Sequence, residues 1–371
     1  LPLDLPPSKN YTSPTRGRRG RNRSVKHQRI SVSHYGGPEE LRVVEEDCPE
    51  PKPGEVRIRV QAAGVSLPDL MMREGIHPET PRLPFTLGWD LVGVVDRLGH
   101  GVSGVEPGQI VAALPIFGAY AEFVCLPQGE LVPVPSGLDN TEAVSLILNY
   151  VTAYQMLHRS AKVAPGQRVL IHGAAGGVGS ALLQLGRLVG LKMYGTCSSR
   201  GTSTVSDLSG IPIDYQHQDF VKEIHRLTGD GVDVVFESIG GSHIWRSRAA
   251  LRSGGTVVAY GLTGSLRDGR LASGHSGSRH RFREIGVFGL YIAASWLLPG
   301  RRRVVPYSIQ WLKRLRPAWF RRDLIVLLDL LQQHKIKPLV AKRFPLVEAR
   351  QAHELLGKGG VLGKLVLVSN R

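Results

Sequence analysis

Cysteine is scarce in this chain, with three in 371 residues: Cys48, Cys125 and Cys197. Scattered singly, they cannot build a disulfide framework, which points to a reducing compartment and a cytoplasmic protein. Long apolar runs are also absent. None reaches the ~18–20 residues of a membrane span, and the first residues lack the apolar centre of a secretory signal. Acidic residues are outnumbered, 31 against 47 Lys and Arg, for a net charge of +16. That balance resembles a nucleic-acid binder, but it is concentrated in two blocks. Residues 1–29 carry +7 and residues 279–322 carry +10, so the rest of the chain is close to neutral. The first block contains Arg16-Gly-Arg-Arg-Gly-Arg-Asn-Arg23 and almost nothing apolar. It reads as a disordered basic tail over 1–29, open to contact with nucleic acid or a membrane surface, or merely an extension ahead of a domain whose first strand begins near Ile30.

What remains is the composition of an α/β protein large enough for two domains: 42% apolar residues and 44 glycines. From Arg29 to about Ala143 the chain is rich in short strands separated by Gly and Pro. Val56-Arg-Ile-Arg-Val60 alternates with period two, and Leu91-Val-Gly-Val-Val95 is a second strand. Many short strands with turns between them predict a partly open barrel. A helix follows over Glu142–Arg159. From Arg168 strands and helices alternate, with strands expected at 168–173, 191–196, 232–237, 255–260 and 285–291, and helices at 178–189, 219–228 and 242–252. This rhythm predicts a doubly wound parallel sheet. A helix over Asp323–Lys335 and two closing strands, Leu339–Phe344 and Gly363–Val368, return toward the first domain.

The most informative stretch is Val169-Leu-Ile-His-Gly-Ala-Ala-Gly-Gly-Val-Gly-Ser180. Its beginning is a short apolar run, as a buried parallel strand requires. Its continuation puts Val178, Ala181, Leu182 and Leu185 on one helical face. Between strand and helix lie Gly173, Gly176, Gly177 and Gly179. Glycines let the backbone approach a pyrophosphate, and the free N–H groups of the helix start stabilise its charge. Ala175, Gly176, Gly177, Val178 and Gly179 are therefore expected to cradle a dinucleotide.

With these residues the chain resembles the medium-chain dehydrogenase/reductase superfamily, in its zinc-free branch of zeta-crystallin-like quinone oxidoreductases and vesicle amine-transport-like proteins. Other carriers of the resemblance are Gly64-Val-Ser-Leu-Pro-Asp69, Leu87-Gly-Trp-Asp-Leu-Val-Gly-Val-Val95, Gly118-Ala-Tyr-Ala-Glu-Phe-Val124 and Leu148-Asn-Tyr-Val-Thr-Ala-Tyr154. Gly231-Val-Asp-Val-Val-Phe-Glu-Ser238 and Gly360-Val-Leu-Gly-Lys-Leu-Val366 continue it. The resemblance covers about 30–371. It implies a GroES-like catalytic domain over 30–145, a Rossmann NADP-binding domain over 146–285, and a return segment, 286–371, completing the catalytic domain and the cleft. A homodimer is the usual assembly. It also implies cofactor contacts from Asn149 and Thr152 beside the nicotinamide, and from Ser238, Gly261 and Lys364.

Zinc relatives in this superfamily use a cysteine near Ser66–Asp69 and a histidine before the acid of the Gly-x-Glu motif. Here those places hold Ser66 and Leu67, and Trp89 in Gly88-Trp89-Asp90. A four-cysteine lobe is missing as well, so no zinc site is expected. An NAD-preferring site needs an acid about 20 residues beyond the glycine turn. The second strand instead ends Gly195-Thr-Cys-Ser-Ser-Arg200, with no acid before Asp207. Ser198 and Arg200 suit the 2′-phosphate of NADPH, and Tyr215 matches a family tyrosine that reaches it. Related enoyl reductases place a proton-donating tyrosine where Arg73-Glu-Gly-Ile-His-Pro78 puts His77, a side chain that titrates near working pH.

The stretch Tyr291–Arg322 sets Trp296, Trp311 and Trp319 among Arg301-Arg-Arg303 and Arg321-Arg322. It reads as a membrane-adjacent entrance, or as an aromatic cleft wall or dimer contact. The function implied is NADPH-dependent, zinc-independent hydride transfer to a small hydrophobic electrophile, either a quinone or an α,β-unsaturated carbonyl. Two alternatives stand beside it: an enoyl-thioester reductase, and a non-catalytic NADPH-binding protein acting at membranes or on RNA.

Overall fold

The computed structural model describes residues 25–261 and 301–369, together with the backbone of 266–267 and 270–271. Strand β1 (Lys26–Val32) pairs antiparallel with β2 (Leu41–Asp47). It starts before the expected Ile30, so the end of the span assigned to the tail belongs to the fold. The reason is His27, which points inward and is 2% exposed.

The first domain is built on β3 (Glu55–Val65), followed by helix α1 (Leu67–Arg73), β4 (Phe85–Thr86), β5 (Leu91–Leu98), β6 (Ile110–Ala113), β7 (Phe123–Pro127) and β8 (Val132–Pro133). The period-two alternation is realised: Val56, Ile58 and Val60 are buried in the core. Arg57, on the opposite face, is covered by ion pairs to Asp96 and Glu50. A long helix leads out of this domain. Helix α2 (Asn140–Ser145) begins on the Asp139 carboxylate, which accepts from the N–H groups of Thr141 and Glu142. A wide π-helical turn, Leu146–Tyr150, separates it from α3 (Val151–Gln155), and a second one, Met156–Ala161, ends it. Turns of this kind re-aim side chains and recur at functional sites.

The second domain runs β9 (Arg168–Ile171), α4 (Gly177–Val189), β10 (Lys192–Cys197), α5 (Thr202–Asp207), β11 (Ile211–Asp214), α6 (Phe220–Thr228), β12 (Val232–Glu237), α7 (His243–Ala249) and β13 (Leu251–Ala259). A two-strand ribbon follows, β14 (Leu266–Arg267) with β15 (Arg270–Leu271), and then β16 (Arg303–Pro306). Six strands form one parallel sheet in the order β11-β10-β9-β12-β13-β16. The strand expected at 285–291 lies outside the described residues. The sixth place is taken by Arg303–Pro306, so part of the span assigned to the return segment belongs to the cofactor sheet. Its Arg301-Arg-Arg303 start disguised a strand whose Val304 is fully buried.

The chain then forms α8 (Ile309–Leu315), α9 (Pro317–Gln332), β17 (Val340–Pro345), α10 (Ala349–Gly357) and β18 (Lys364–Val368). The last two strands return to the first domain, whose sheet reads β17-β18-β3-β5-β6-β8 with β7 added on β3. One apolar core is continuous through both domains, and a smaller one fills the far side of the parallel sheet. Trp311 is exposed, while Trp319 lies under the Arg159 guanidinium at 4.3 Å. Trp296 is outside the described residues. No helix among the described residues is long and apolar enough to cross a membrane.

Candidate functional site

Strand order reverses between β9 and β12, and the loop after β9 is the predicted glycine turn. In parallel sheets that crevice is where ligands bind. Gly173 takes φ +62°, and its carbonyl accepts the N–H of Gly176 at 2.9 Å. Helix α4 starts at Gly177 with its first N–H groups at the turn. Space explains the remaining glycines. A Cβ on Gly179 would stand 2.3 Å from the Gly173 carbonyl oxygen and 2.6 Å from Ala174 Cα. One on Gly177 would stand 2.3 Å from Asn149 Nδ2, which the wide turn Leu146–Tyr150 brings over the helix start. Ala175 accepts the Gly363 N–H at 3.0 Å, and Gly176 and Gly363 form a parallel bridge. Both domains therefore meet at the turn. Val178 lies half-buried on α4.

At the end of β10, Ser198 precedes a short turn in which Arg200 is exposed. The Arg200 guanidinium rests on Gly360, where a Cβ would stand 2.2 Å from Nη2. Tyr215 is exposed, and its N–H donates to the Cys197 carbonyl at 3.2 Å, which holds it beside Ser198. Asp214, paired with Cys197 across the sheet, accepts from Ser199 Oγ at 2.6 Å and from the His217 ring at 3.0 Å. These hydrogen bonds, that of Ser199 foremost, lower its pKa. Ser198 and Arg200 thus share the turn after β10, and the backbone of Tyr215 is bound to the last residue of that strand.

On the other side of the turn, Ser238 Oγ donates to the His172 carbonyl at 3.4 Å, and Gly261 packs on the Ser238 backbone. Thr152 is buried beside Tyr307, whose hydroxyl donates to Gln155 Oε1 at 2.8 Å. Lys364 behaves differently from the rest of the set. Its ammonium is 3% exposed and pairs with Asp90 at 3.2 Å, so its charge is spent inside the catalytic domain. Asp69 lies close by, fully buried, accepting from Ser66 Oγ at 2.6 Å and from the Gly88 N–H at 3.0 Å. Burial pushes its pKa up to about 7 against these hydrogen bonds.

His77 is half-buried on the loop after α1. Its Nδ1 accepts the Glu79 N–H at 3.2 Å, which leaves the ring proton on Nε2. Glu79 is held in turn by Arg314 at 2.8 Å and by Gln310, both on α8, so the His77 loop is pinned to the segment that follows the cofactor sheet. The ring meets Trp89 edge to face, with centroids 5.3 Å apart.

The sequence reading missed a buried network behind the turn. His172 bonds Thr196 and Ser247 at 3.0 Å each, and Glu237 accepts from the Ile239 N–H at 2.6 Å, the Gly240 N–H at 3.1 Å, His243 at 2.8 Å and Ser247. Burial drives the His172 pKa down to about 4. Glu237 is held at about 2: burial alone would raise it, and hydrogen bonds and the two histidines overcome that. His172, Glu237 and His243 place their ligand atoms within 4.8 Å of one another, but hydrogen bonds already engage those atoms. Only the Phe-Glu-Ser run and a lone His172 signalled this network in the sequence.

A six-stranded Rossmann sheet joined to a GroES-like β domain, with the glycine turn in the seam, defines the class as a two-domain nucleotide-dependent oxidoreductase. Residues 52–136 match the alcohol dehydrogenase GroES-like domain family, and residues 210–367 match the zinc-binding dehydrogenase family. The chain is 33% identical over 344 residues to the rat synaptic vesicle membrane protein VAT-1 homolog, covering 91% of this chain and 83% of that protein. A quinone oxidoreductase from Pseudomonas syringae superposes with a TM-score of 0.79 at 28% identity, over 92% of this chain and 99% of that one. A mycobacterial protein solved in complex with NADPH superposes at 0.77 with 29% identity and the same coverage. The chain belongs to the medium-chain dehydrogenase/reductase superfamily, in its zinc-free, quinone-oxidoreductase-like branch.

Proposed function

We propose that the protein is an NADPH-dependent, zinc-independent reductase of quinones or α,β-unsaturated carbonyls. The observation that carries this is Arg200 in the turn after β10, its guanidinium on Gly360, in the turn that Ser198 opens and next to the strand end that binds the Tyr215 N–H, where an NAD site keeps an acid. The glycine turn fits a dinucleotide, since side chains at Gly177 or Gly179 would collide with Asn149 or with the turn's own backbone, and only glycines let the turn and the helix start close this tightly. The NADPH complex of a similar protein supports the same assignment. In this reading Gly176, Gly177 and the start of α4 hold the pyrophosphate. Ser198, Arg200 and Tyr215 hold the 2′-phosphate, and Asn149 and Thr152 border the nicotinamide. Bound there, NADPH supplies a hydride and leaves as NADP⁺. The chain itself supplies orientation, exclusion of water and a proton at His77 Nε2. Trp89 and Ser66, standing where zinc relatives keep ligands, favour an acceptor that is already electron-poor.

The test is oxidation of NADPH by the purified protein against quinones, enones, enals and enoyl thioesters. Turnover with quinones or enones supports the proposal. Turnover with enoyl thioesters alone makes the protein an enoyl-thioester reductase, and tight NADPH binding without any turnover makes it a non-catalytic binder.

A further inference from the structure

Trp89 is 3% exposed, and its indole Nε1–H has no hydrogen-bond acceptor among the described residues. A buried donor without a partner is rare in a folded protein and calls for an explanation. The position of this one supplies it. The indole ring meets the His77 ring edge to face, with an interplanar angle of 81°. The next residue, Asp90, pairs with Lys364, and Lys364 follows Gly363, whose N–H is bound to the carbonyl of Ala175 in the glycine turn. Trp89 therefore stands in the seam between the two domains. Its backbone is held on both sides: the Gly88 N–H donates to Asp69 at 3.0 Å, and the Trp89 carbonyl accepts from Ile116 at 3.2 Å. The backbone that carries the indole is therefore fixed.

We infer that the Trp89 indole N–H binds the carbonyl oxygen of the substrate and polarises it for hydride addition. This rests on the reductase reading above and narrows it to neutral, carbonyl-bearing acceptors: enones, enals and quinones. Lys364, the buried cation beside the neighbouring Asp90, is neutralised by it, and the proposed donor is a neutral N–H rather than a free charge for a carboxylate. As the β-carbon of an enone gains hydride from NADPH, a C–H bond forms and the C=C π pair shifts toward the carbonyl. Negative charge gathers on the oxygen. An N–H hydrogen-bonded to that oxygen would bind the transition state more strongly than the ground state. One proton at the α-carbon completes the saturated ketone.

The experiment uses the full chain, cyclohexenone as substrate and cyclohexanone as a binding probe. In wild type, infrared difference spectra of bound cyclohexanone should show the carbonyl stretch lowered by the hydrogen bond. In Trp89→Phe that lowering should vanish, and kcat/KM for cyclohexenone should fall about a hundredfold, the usual effect of removing one oxyanion donor, with NADPH affinity unchanged. Incorporating the benzothiophene isostere of tryptophan at position 89 keeps the ring and removes the N–H. It should reproduce both effects, and it secures the test if Trp89→Phe fails to fold. A carbonyl stretch that is equally lowered without the N–H, or is not lowered in wild type, would overturn the assignment. Enone turnover with an unchanged stretch overturns Trp89 alone, whereas absence of any turnover overturns the reductase reading first.

Discussion

Asn149 Nδ2 lies where a side chain on Gly177 would begin, 2.3 Å from the place of its Cβ. The wide turn that carries Asn149 and the first residue of helix α4 are thus fitted to each other, and both face the crevice. Gly177→Ala must move one of them. The expected result is NADPH binding weakened by roughly tenfold or more, about 1.4 kcal/mol, in isothermal titration. An unchanged dissociation constant would mean that this helix start does not approach the cofactor.

Arg200 supplies the second prediction. Arg200→Ala should weaken NADPH binding by about 1–3 kcal/mol, the scale of lost charge-assisted hydrogen bonds, and leave NADH nearly unchanged. Because the guanidinium also rests on Gly360, the melting temperature should be followed alongside. Equal losses for both cofactors would remove the phosphate role.

His77 is expected to give the proton. His77→Phe should lower kcat on enones by roughly 10²–10⁴-fold, the usual worth of general acid catalysis. The loss on quinones should be smaller, since their reduced oxygens exchange protons with water, and NADPH affinity should be kept. Near wild-type rates on both classes would leave water as the donor.

The buried network makes a prediction about pH. The pKa of His172 is depressed from 6.5 to about 4, so the fold holds the neutral ring more strongly than the unfolded chain does. Its contribution is fully present above the unfolded pKa and is lost as pH falls from 6.5 toward 4, about 3 kcal/mol over that window. Glu237, depressed to about 2, acts in the same direction at lower pH. Melting temperature plotted against pH should therefore fall across this range in wild type and be flatter in His172→Asn. Parallel curves would show that the ring titrates as it does in the unfolded chain.

The elements legible in the sequence were those whose pattern is local. The β9 run, the glycine turn and α4 combine apolar period with glycine spacing, and their predicted and observed boundaries agree to within two residues. Strand β12 appeared at its predicted span because its centre, Val234-Val-Phe236, is a β-branched and aromatic run, as a strand buried on both faces requires. Strand β16 was hidden because three arginines precede two valines. The place of β1 was misjudged because its inward residue is a histidine. Within the site, Asn149 could be proposed only through family likeness, since its approach to Gly177 depends on a helix register that an α-helical period cannot predict. Lys364 shows a different limit: its motif suggests a cofactor contact, while its buried pairing with Asp90 joins residues distant in sequence and could not be read there. The contact between Trp89 and His77 is likewise a product of tertiary packing.

The central claim, hydride transfer from a nicotinamide held on this glycine turn to a carbon of the substrate, is tested most directly with NADPH deuterated at its transferable position. Purified protein should convert cyclohexenone to cyclohexanone carrying one deuterium at the β-carbon, with one NADPH consumed per product, and should do so poorly with NADH. A saturated product without deuterium, or tight NADPH binding with no product from any enone or quinone, would contradict the account.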